Sequence, residues 1–173
     1  MTPEVRRAQL DVTPLVLRAI FRVKTWLPEY VRGDSPVALG GRELPSVVGT
    51  VLPGSERVLC TGPGEWLILS RTRDASELQS LIGADLGRFG LAAINLTDGL
   101  SGFEVAGSDA REWLAKSCGL DLHPRAFPAG HCARTRFAQV PVVVDCLDVH
   151  RFGLHWARSY SQYLQDWIGD QAA

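Results

Sequence analysis

The sequence contains no apolar run approaching the roughly 20 residues that a membrane helix needs, which sets aside a spanning helix. It contains no C-x-x-C pair among Cys60, Cys118, Cys132 and Cys146, and a chain of 173 residues does not need disulfides to be stable. The four thiols are therefore read as reduced and mostly buried. An excess of one charge is also missing. With 18 basic and 19 acidic residues the formal net charge is -1, so no electrostatic footprint for nucleic acid or an anionic membrane exists. Arg6 and Arg7 are followed by Asp11 and Pro14 before any apolar run, the wrong order for a secretory leader, and the cytoplasm is the expected compartment.

What is present fits one compact α+β domain over residues 1–173: 46% hydrophobic and 21% charged residues supply a sizeable core. Residues 15–23 alternate Leu15, Leu17, Ala19, Phe21 and Val23 with Arg18 and Arg22, the period of two of a half-buried strand. Residues 27–55 are crowded with Pro28, Gly33, Pro36, Gly40, Gly41, Pro45, Gly49, Pro53 and Gly54, and read as a long loop suited to binding or to packing on a partner. Three helices carry capping-box spacings, Asp74 with Glu77, Asp109 with Glu112 and Ser159 with Gln162. They are expected to stop at Gly83, Gly119 and Gly169. The last presents Tyr160, Tyr163, Leu164, Trp167 and Ile168 as one apolar stripe for the core.

Residues 92–96 and 103–105 flank Asp98-Gly99, a dipeptide suited to a hairpin turn, which gives Asp98 a structural task in place of a catalytic one. Residues 134–138, 141–147 and 151–156 read as three further strands. The expected organisation is a first half over residues 1–90 and a second half over 91–173, running strand, strand, helix, three strands, helix. An internal echo accompanies it. At a constant offset of 86 residues (146 − 60, 152 − 66, 164 − 78) Cys60 answers Cys146, Trp66 answers Phe152, Ile68 answers Leu154 and Leu78-Gln79 answers Leu164-Gln165. The echo points to duplication, although two unrelated strand–helix units with like caps would align comparably.

Each motif that could carry chemistry meets a structural alternative. Gly62-Pro63-Gly64 has Leu67 where a dinucleotide loop needs its third glycine, and it feeds a strand instead of a helix. Ser101, in Gly99-Leu100-Ser101-Gly102-Phe103, misses the nucleophile elbow at the last position. Cys118, His123, His131 and Cys132 have zinc-ligand chemistry, but adjacent His131 and Cys132 would point to opposite faces of a strand and Cys118 falls on an apolar helix face. His150 and His155 have no carboxylate at a telling spacing. His123-Pro124-Arg125 and Phe127-Pro128 make a stiff loop of the kind that suits an interface.

That loop belongs to residues 118–134, CGLDLHPRAFPAGHCAR, a segment that resembles the characteristic stretch of the sarcosine oxidase gamma-subunit family. The likeness extends to Gly62-Pro63 with Glu65-Trp66-Leu67, to Asp98-Gly99, to Gly107-Ser108-Asp109-Ala110 and to Tyr163-Leu164-Gln165-Asp166-Trp167. Gly64 departs from it, standing where family members commonly carry an acidic residue.

The resemblance implies a fold similar to the folate-binding domain of aminomethyltransferases: two pseudo-repeated α+β halves with mostly antiparallel sheets that exchange their first strands. It implies a gamma subunit in a hetero-oligomer with alpha, beta and delta chains that oxidatively demethylates sarcosine to glycine, using tetrahydrofolate and oxygen. FAD, FMN, NAD and the folate site are then expected on the larger chains and zinc on the delta chain, with no cofactor, metal or catalytic residue on this one. Cys118, Asp121, His123, Pro124, Arg125, Phe127, Pro128 and Gly130 become candidates for architecture or subunit contact. Two alternatives stand beside this reading. One is a stand-alone folate-binding or aminomethyltransferase-like protein, and the other is the small subunit of an N-methylglutamate dehydrogenase-like complex.

Overall fold

A computed structural model describes residues 5–7 and 9–172. In chain order the elements are β1 (Val5–Arg7), β2 (Leu10–Pro14), β3 (Ala19–Thr25), α1 (Pro28–Val31), β4 (Ala38–Leu39), β5 (Arg42–Glu43), β6 (Val51–Leu52), β7 (Glu56–Gly62), β8 (Glu65–Ser70), α2 (Ala75–Gly83), β9 (Leu91–Asn95), β10 (Leu100–Ala106), α3 (Ala110–Ala115), β11 (Cys132–Phe137), β12 (Val140–Asp148), β13 (Arg151–Ala157), a 3-10 turn at Arg158–Tyr160 and α4 (Ser161–Ala172). No helix among the described residues is long and apolar enough to cross a membrane.

The chain divides into two compact units. One runs Leu17–Gly99, and the other combines the residues up to Val16 with those from Leu100 onward. The first unit carries a sheet in the order β6-β7-β8-β3-β9, plus the small β4-β5 pair. The second carries β1-β2-β10-β13-β12-β11. Every pairing is antiparallel. The expected division between residues 90 and 91 is therefore corrected. β9 is laid against β3, with Val23 opposite Ala93, whereas β2 is laid against β10, with Val12 opposite Val105. This is the exchange of first strands that the family resemblance implied.

One face of each sheet builds a core. In the first unit Phe21, Val23, Trp66 and Ile68 close on Leu78 and Ile82 of α2, and in the second Phe152, Leu154 and Trp156 close on Leu164 and Ile168 of α4. The offset of 86 survives in three dimensions: β8 begins at Glu65 and β13 at Arg151, α2 at Ala75 and α4 at Ser161. Both hairpins also slip register at the same place, between Cys60 and Gly62 and between Cys146 and Asp148. At each bulge the thiol donates to the carbonyl two residues on, 3.6 Å from Cys60 to Gly62 and 3.3 Å from Cys146 to Asp148. All four cysteines are free and buried, as expected.

The local expectations fare unevenly, and each miss has a cause. The Asp74–Glu77 capping box forms and α2 ends at Gly83, because every partner lies within one turn. Asp109 caps nothing with its side chain, since its own backbone is already helical, and α3 stops at Ala115, short of Gly119. Ser159 is absorbed into the 3-10 turn, so α4 starts two residues later and continues past Gly169. Of the apolar stripe on α4, Leu164 and Ile168 are buried and Trp167 is partly buried, whereas Tyr160 and Tyr163 are exposed. Tyr163 instead donates its hydroxyl to Ala138 O at 3.0 Å.

Residues 15–23 are not one strand. Leu15 N–H bonds Gly102 O at 2.9 Å and Arg18 N–H bonds Ser70 O at 2.9 Å, so the chain leaves one sheet and enters the other within four residues. Nor do β9 and β10 form a hairpin at Asp98-Gly99, because they belong to different sheets. The turn there is held by Gly99 N–H on Leu96 O and by Asn95, whose side-chain oxygen accepts from the Thr97 amide and hydroxyl. The long loop at 27–55 contains α1 and three short strands.

Candidate functional site

The family-like segment is built from α3 outward. Ala110, Trp113 and Leu114 bury one helix face, and the turn after it brings Cys118 to an isolated bridge with Phe137, with the thiol 3.9 Å from Thr135 Oγ1. Asp121 then folds the chain by accepting the His123 amide at 2.9 Å. His123 continues the turn, its carbonyl accepting from Ala126 and Phe127 and its Nδ1 from the Arg125 amide at 3.2 Å. Leu122 and Phe127 plug into the core, 5% and 4% exposed, while Asp121, His123, Pro124 and Arg125 stay outside. Pro128 is half-buried and Gly130, at φ +79°, turns the segment into β11. There the Gly130 amide bonds Cys146 O, and the Cys146 amide bonds His131 O.

One residue that the sequence reading passed over holds this segment in place. Arg111 donates Nε to Val149 O at 2.9 Å, Nη1 to Phe127 O at 3.2 Å and to Leu122 O, and Nη2 to Cys146 Sγ at 3.7 Å. Its guanidinium lies 4.9 Å from the centroid of the Phe152 ring. A planar fork can serve several carbonyls while stacking on an aromatic face, which an ammonium cannot do. The available signal was its position beside the apolar face of α3, three residues before buried Leu114.

The chemistry open to this region is that of a shaped surface. Burial raises the Cys146 thiol pKa, opposed by the charge and hydrogen bond of Arg111 and reinforced by Asp145 and Asp148. Burial likewise raises Cys60, opposed by its bond to Gly62. Both thiols are thereby kept protonated and poorly nucleophilic. Among the described residues no three His, Cys, Asp or Glu side chains converge as metal ligands. The structure brings the eight candidate residues into one continuous segment, and it joins Arg111 to them.

The first unit holds a cavity of about 90 Å³ beneath Leu44, Val58, Ile68, Leu78, Leu81 and Ile82, with Arg42, Glu56 and Arg73 at its polar end. Glu56 sits 2.9 Å from Arg73 Nε and accepts from Ser55 at 2.7 Å. Burial alone would raise its pKa, but the bonds from Ser55 and Arg73 and the Arg73 charge outweigh it and hold the carboxyl below its ordinary value. It is a fixed charge and no proton donor.

A duplicated α+β chain with exchanged first strands defines the class. Glycine cleavage system aminomethyltransferase T from Bartonella henselae shares this fold over 96% of the chain and 47% of its own, with a TM-score of 0.67 at 14% identity. The model of the sarcosine oxidase, gamma subunit family matches residues 34–173, and the chain belongs to that family. Sarcosine oxidase subunit gamma of Arthrobacter sp is 36% identical over 108 residues, 60% of this chain and 51% of that one. The subunit of the same name from Corynebacterium sp. (strain P-1) is 31% identical over 132 residues, 75% of this chain and 64% of that one. The chain thus spans between half and two thirds of the length of these relatives. A chain of the heterotetrameric sarcosine oxidase from Corynebacterium sp. U-96, in complex with pyrrole 2-carboxylate, matches 98% of this chain and 87% of its own, with a TM-score of 0.81 at 24% identity.

Proposed function

We propose that this chain is the gamma subunit of a cytoplasmic, heterotetrameric sarcosine oxidase-type complex, with a role in assembly and no catalytic site of its own. The observation that carries the reading is the Arg111-anchored segment: Leu122 and Phe127 are buried while His123, Pro124 and Arg125 are held outward on a rigid turn. A residue pattern spent on fixing an exposed loop is the pattern of a contact surface. The partners are alpha, beta and delta-type chains. Sarcosine demethylation with FAD, FMN, NAD and tetrahydrofolate proceeds on the larger chains, and zinc resides on the delta chain.

Co-expression with the large flavoprotein and delta-type chains tests this. The expected outcome is a stable complex that takes up oxygen with sarcosine, and one whose recovery drops when His123 and Arg125 are both changed to alanine. The chain purified alone should show neither flavin absorbance nor sarcosine-dependent oxygen uptake, and either signal would overturn the reading. The aminomethyltransferase-like fold supports a second reading, a folate-binding protein in its own right. Calorimetry of the isolated chain with tetrahydrofolate decides between them, since micromolar binding corresponds to about 8 kcal/mol. Whether sarcosine or N-methylglutamate is oxidised is decided by a pocket on another chain.

A further inference from the structure

The offset of 86 residues sets one charged group of the first unit apart. Glu56 corresponds to Val142, Arg73 to Ser159 and Leu81 to Trp167, so the second unit builds the equivalent strand and helix without these charges and with a ring in place of Leu81. Burying a carboxylate carries a desolvation cost that Val142 does not incur. Glu56 is nevertheless 7% exposed, its Oε1 accepting from Arg73 Nε at 2.9 Å and its Oε2 from Ser55 at 2.7 Å. The hairpin–helix plan does not require this group, and a costly departure from a plan that folds without it points to a binding task.

The cavity of about 90 Å³ beside Glu56 has an apolar body and a cationic mouth. It is covered by the β4-β5 pair, which joins neither of the larger sheets. Polar ties hold that cover down: Gly40 N–H donates to Asp85 Oδ2 at 2.9 Å, and Arg42 donates Nη2 to Pro53 O at 2.7 Å and Nη1 to Glu56 O at 3.3 Å. Gly40, at φ +55°, lies so near α2 that an added Cβ would stand 2.6 Å from Leu81 Cδ1. At the mouth the guanidinium groups of Arg42 and Arg73 meet the single carboxylate of Glu56, which leaves an excess of positive charge. Both Glu56 oxygens are engaged, whereas the Arg73 guanidinium bonds only Glu56 among the described residues, and only through Nε. Its two η nitrogens therefore present a fork of donors on a side chain 45% exposed, the geometry that suits a carboxylate.

We propose that this cavity binds a short-chain monocarboxylate, with its branched apolar body between α2 and the sheet and its carboxylate on Arg73. A cavity of about 150 Å³ accepts benzene, so one of about 90 Å³ accepts a body of about four carbons. An apolar chamber with a few convergent polar groups is the usual form of a small-molecule site. The charge at the mouth selects the ligand class: an ammonium is repelled by the two arginines, and a neutral alcohol of the same shape forgoes the charge-assisted bonds. The site lies wholly within the first unit and does not depend on the subunit reading, so failure of either leaves the other standing.

Methyl NMR of the full chain, titrated with isovalerate as the probe, tests the assignment. The Leu78, Leu81 and Ile82 methyls should shift and saturate with a Kd of about 0.1–1 mM, the range open to so small a ligand. Isoamyl alcohol, which has the same body without the charge, should bind about tenfold more weakly, and isoamylamine more weakly still. Leu81→Trp fills the cavity and should abolish the saturable shifts. Arg73→Gln keeps the cavity, and with its fold checked by melting it should lose about tenfold in affinity for isovalerate and leave the alcohol unchanged, which also decides the matter if Leu81→Trp does not fold. Absence of saturable shifts in the folded wild-type chain would overturn the proposal. Equal affinity for acid and alcohol would reduce the cavity to a packing void and overturn the carboxylate assignment, and shifts that persist in folded Leu81→Trp would move binding away from this cavity and overturn it as well.

Discussion

The first unit surrounds an unfilled space where the second is packed with rings. Trp113, Phe137 and Trp167 meet in the second unit with centroids 5.0 to 5.9 Å apart. At the same offset of 86, Trp167 is answered by Leu81 and Val142 by Glu56, and there the first unit has its cavity of about 90 Å³ closed by a charged end. The hairpin, its bulge and the helix behind it are held in common, because register and main-chain bonds depend little on side-chain identity. The volume between helix and sheet is free to diverge, provided the units remain folded. The second unit fills this volume with rings, and the first keeps a cavity there.

The largest effect that could break this comparison is Trp167→Ala. Emptying the ring cluster should cost about 3 kcal/mol in urea unfolding, against about 1–2 kcal/mol for Leu81→Ala beside an existing cavity. Equal costs would mean that the two interiors are packed alike. Next comes Arg111→Ala, which leaves the carbonyls of Val149, Leu122 and Phe127 without their donor and should cost about 2–3 kcal/mol. Arg111→Lys should recover less than half of that, and limited proteolysis should cut first within residues 118–130. Leu81→Trp, which copies the second unit, should fill the cavity and raise stability by about 0.5–1 kcal/mol. A loss would show that the cavity is held open by a rigid wall.

The smallest effect concerns Glu56, the charged counterpart of Val142. Its folded-state pKa lies below the unfolded one, so its contribution is present above the ordinary carboxylate range and is lost as pH falls through the folded value. Glu56→Gln should therefore flatten the fall in Tm between about pH 5 and pH 3, with little change in slope near neutrality. An unchanged acid profile would exclude Glu56 as a pH-dependent tie.

Legibility followed range. The Asp74–Glu77 box was readable because a cap needs only one turn of chain, and the 86-residue echo because both hairpin–helix units repeat whole. Residues 15–23 misled for the same reason that they were informative. β2 and β3 are both half-buried, so their alternation runs on through the crossing from one sheet to the other. Asp98-Gly99 misled in the same way, since a turn dipeptide between two strands does not say that those strands pair with each other. Within residues 118–134, His123-Pro124-Arg125 and Phe127-Pro128 were readable as a stiff loop from their prolines. Arg111 was not, because its partners are carbonyls from residues 122, 127 and 149, and carbonyls leave no mark on a sequence.

By itself the sequence determined the α+β class, the buried thiols, the α2 boundaries and a duplicated hairpin–helix plan, since each rests on periodicity or on contacts a few residues apart. Only the tertiary structure decided which sheet β2 and β9 join and that Arg111 anchors the outward turn at His123. Those outcomes depend on pairings between strands tens of residues apart and on carbonyl partners, which periodicity and contacts within a few residues do not specify.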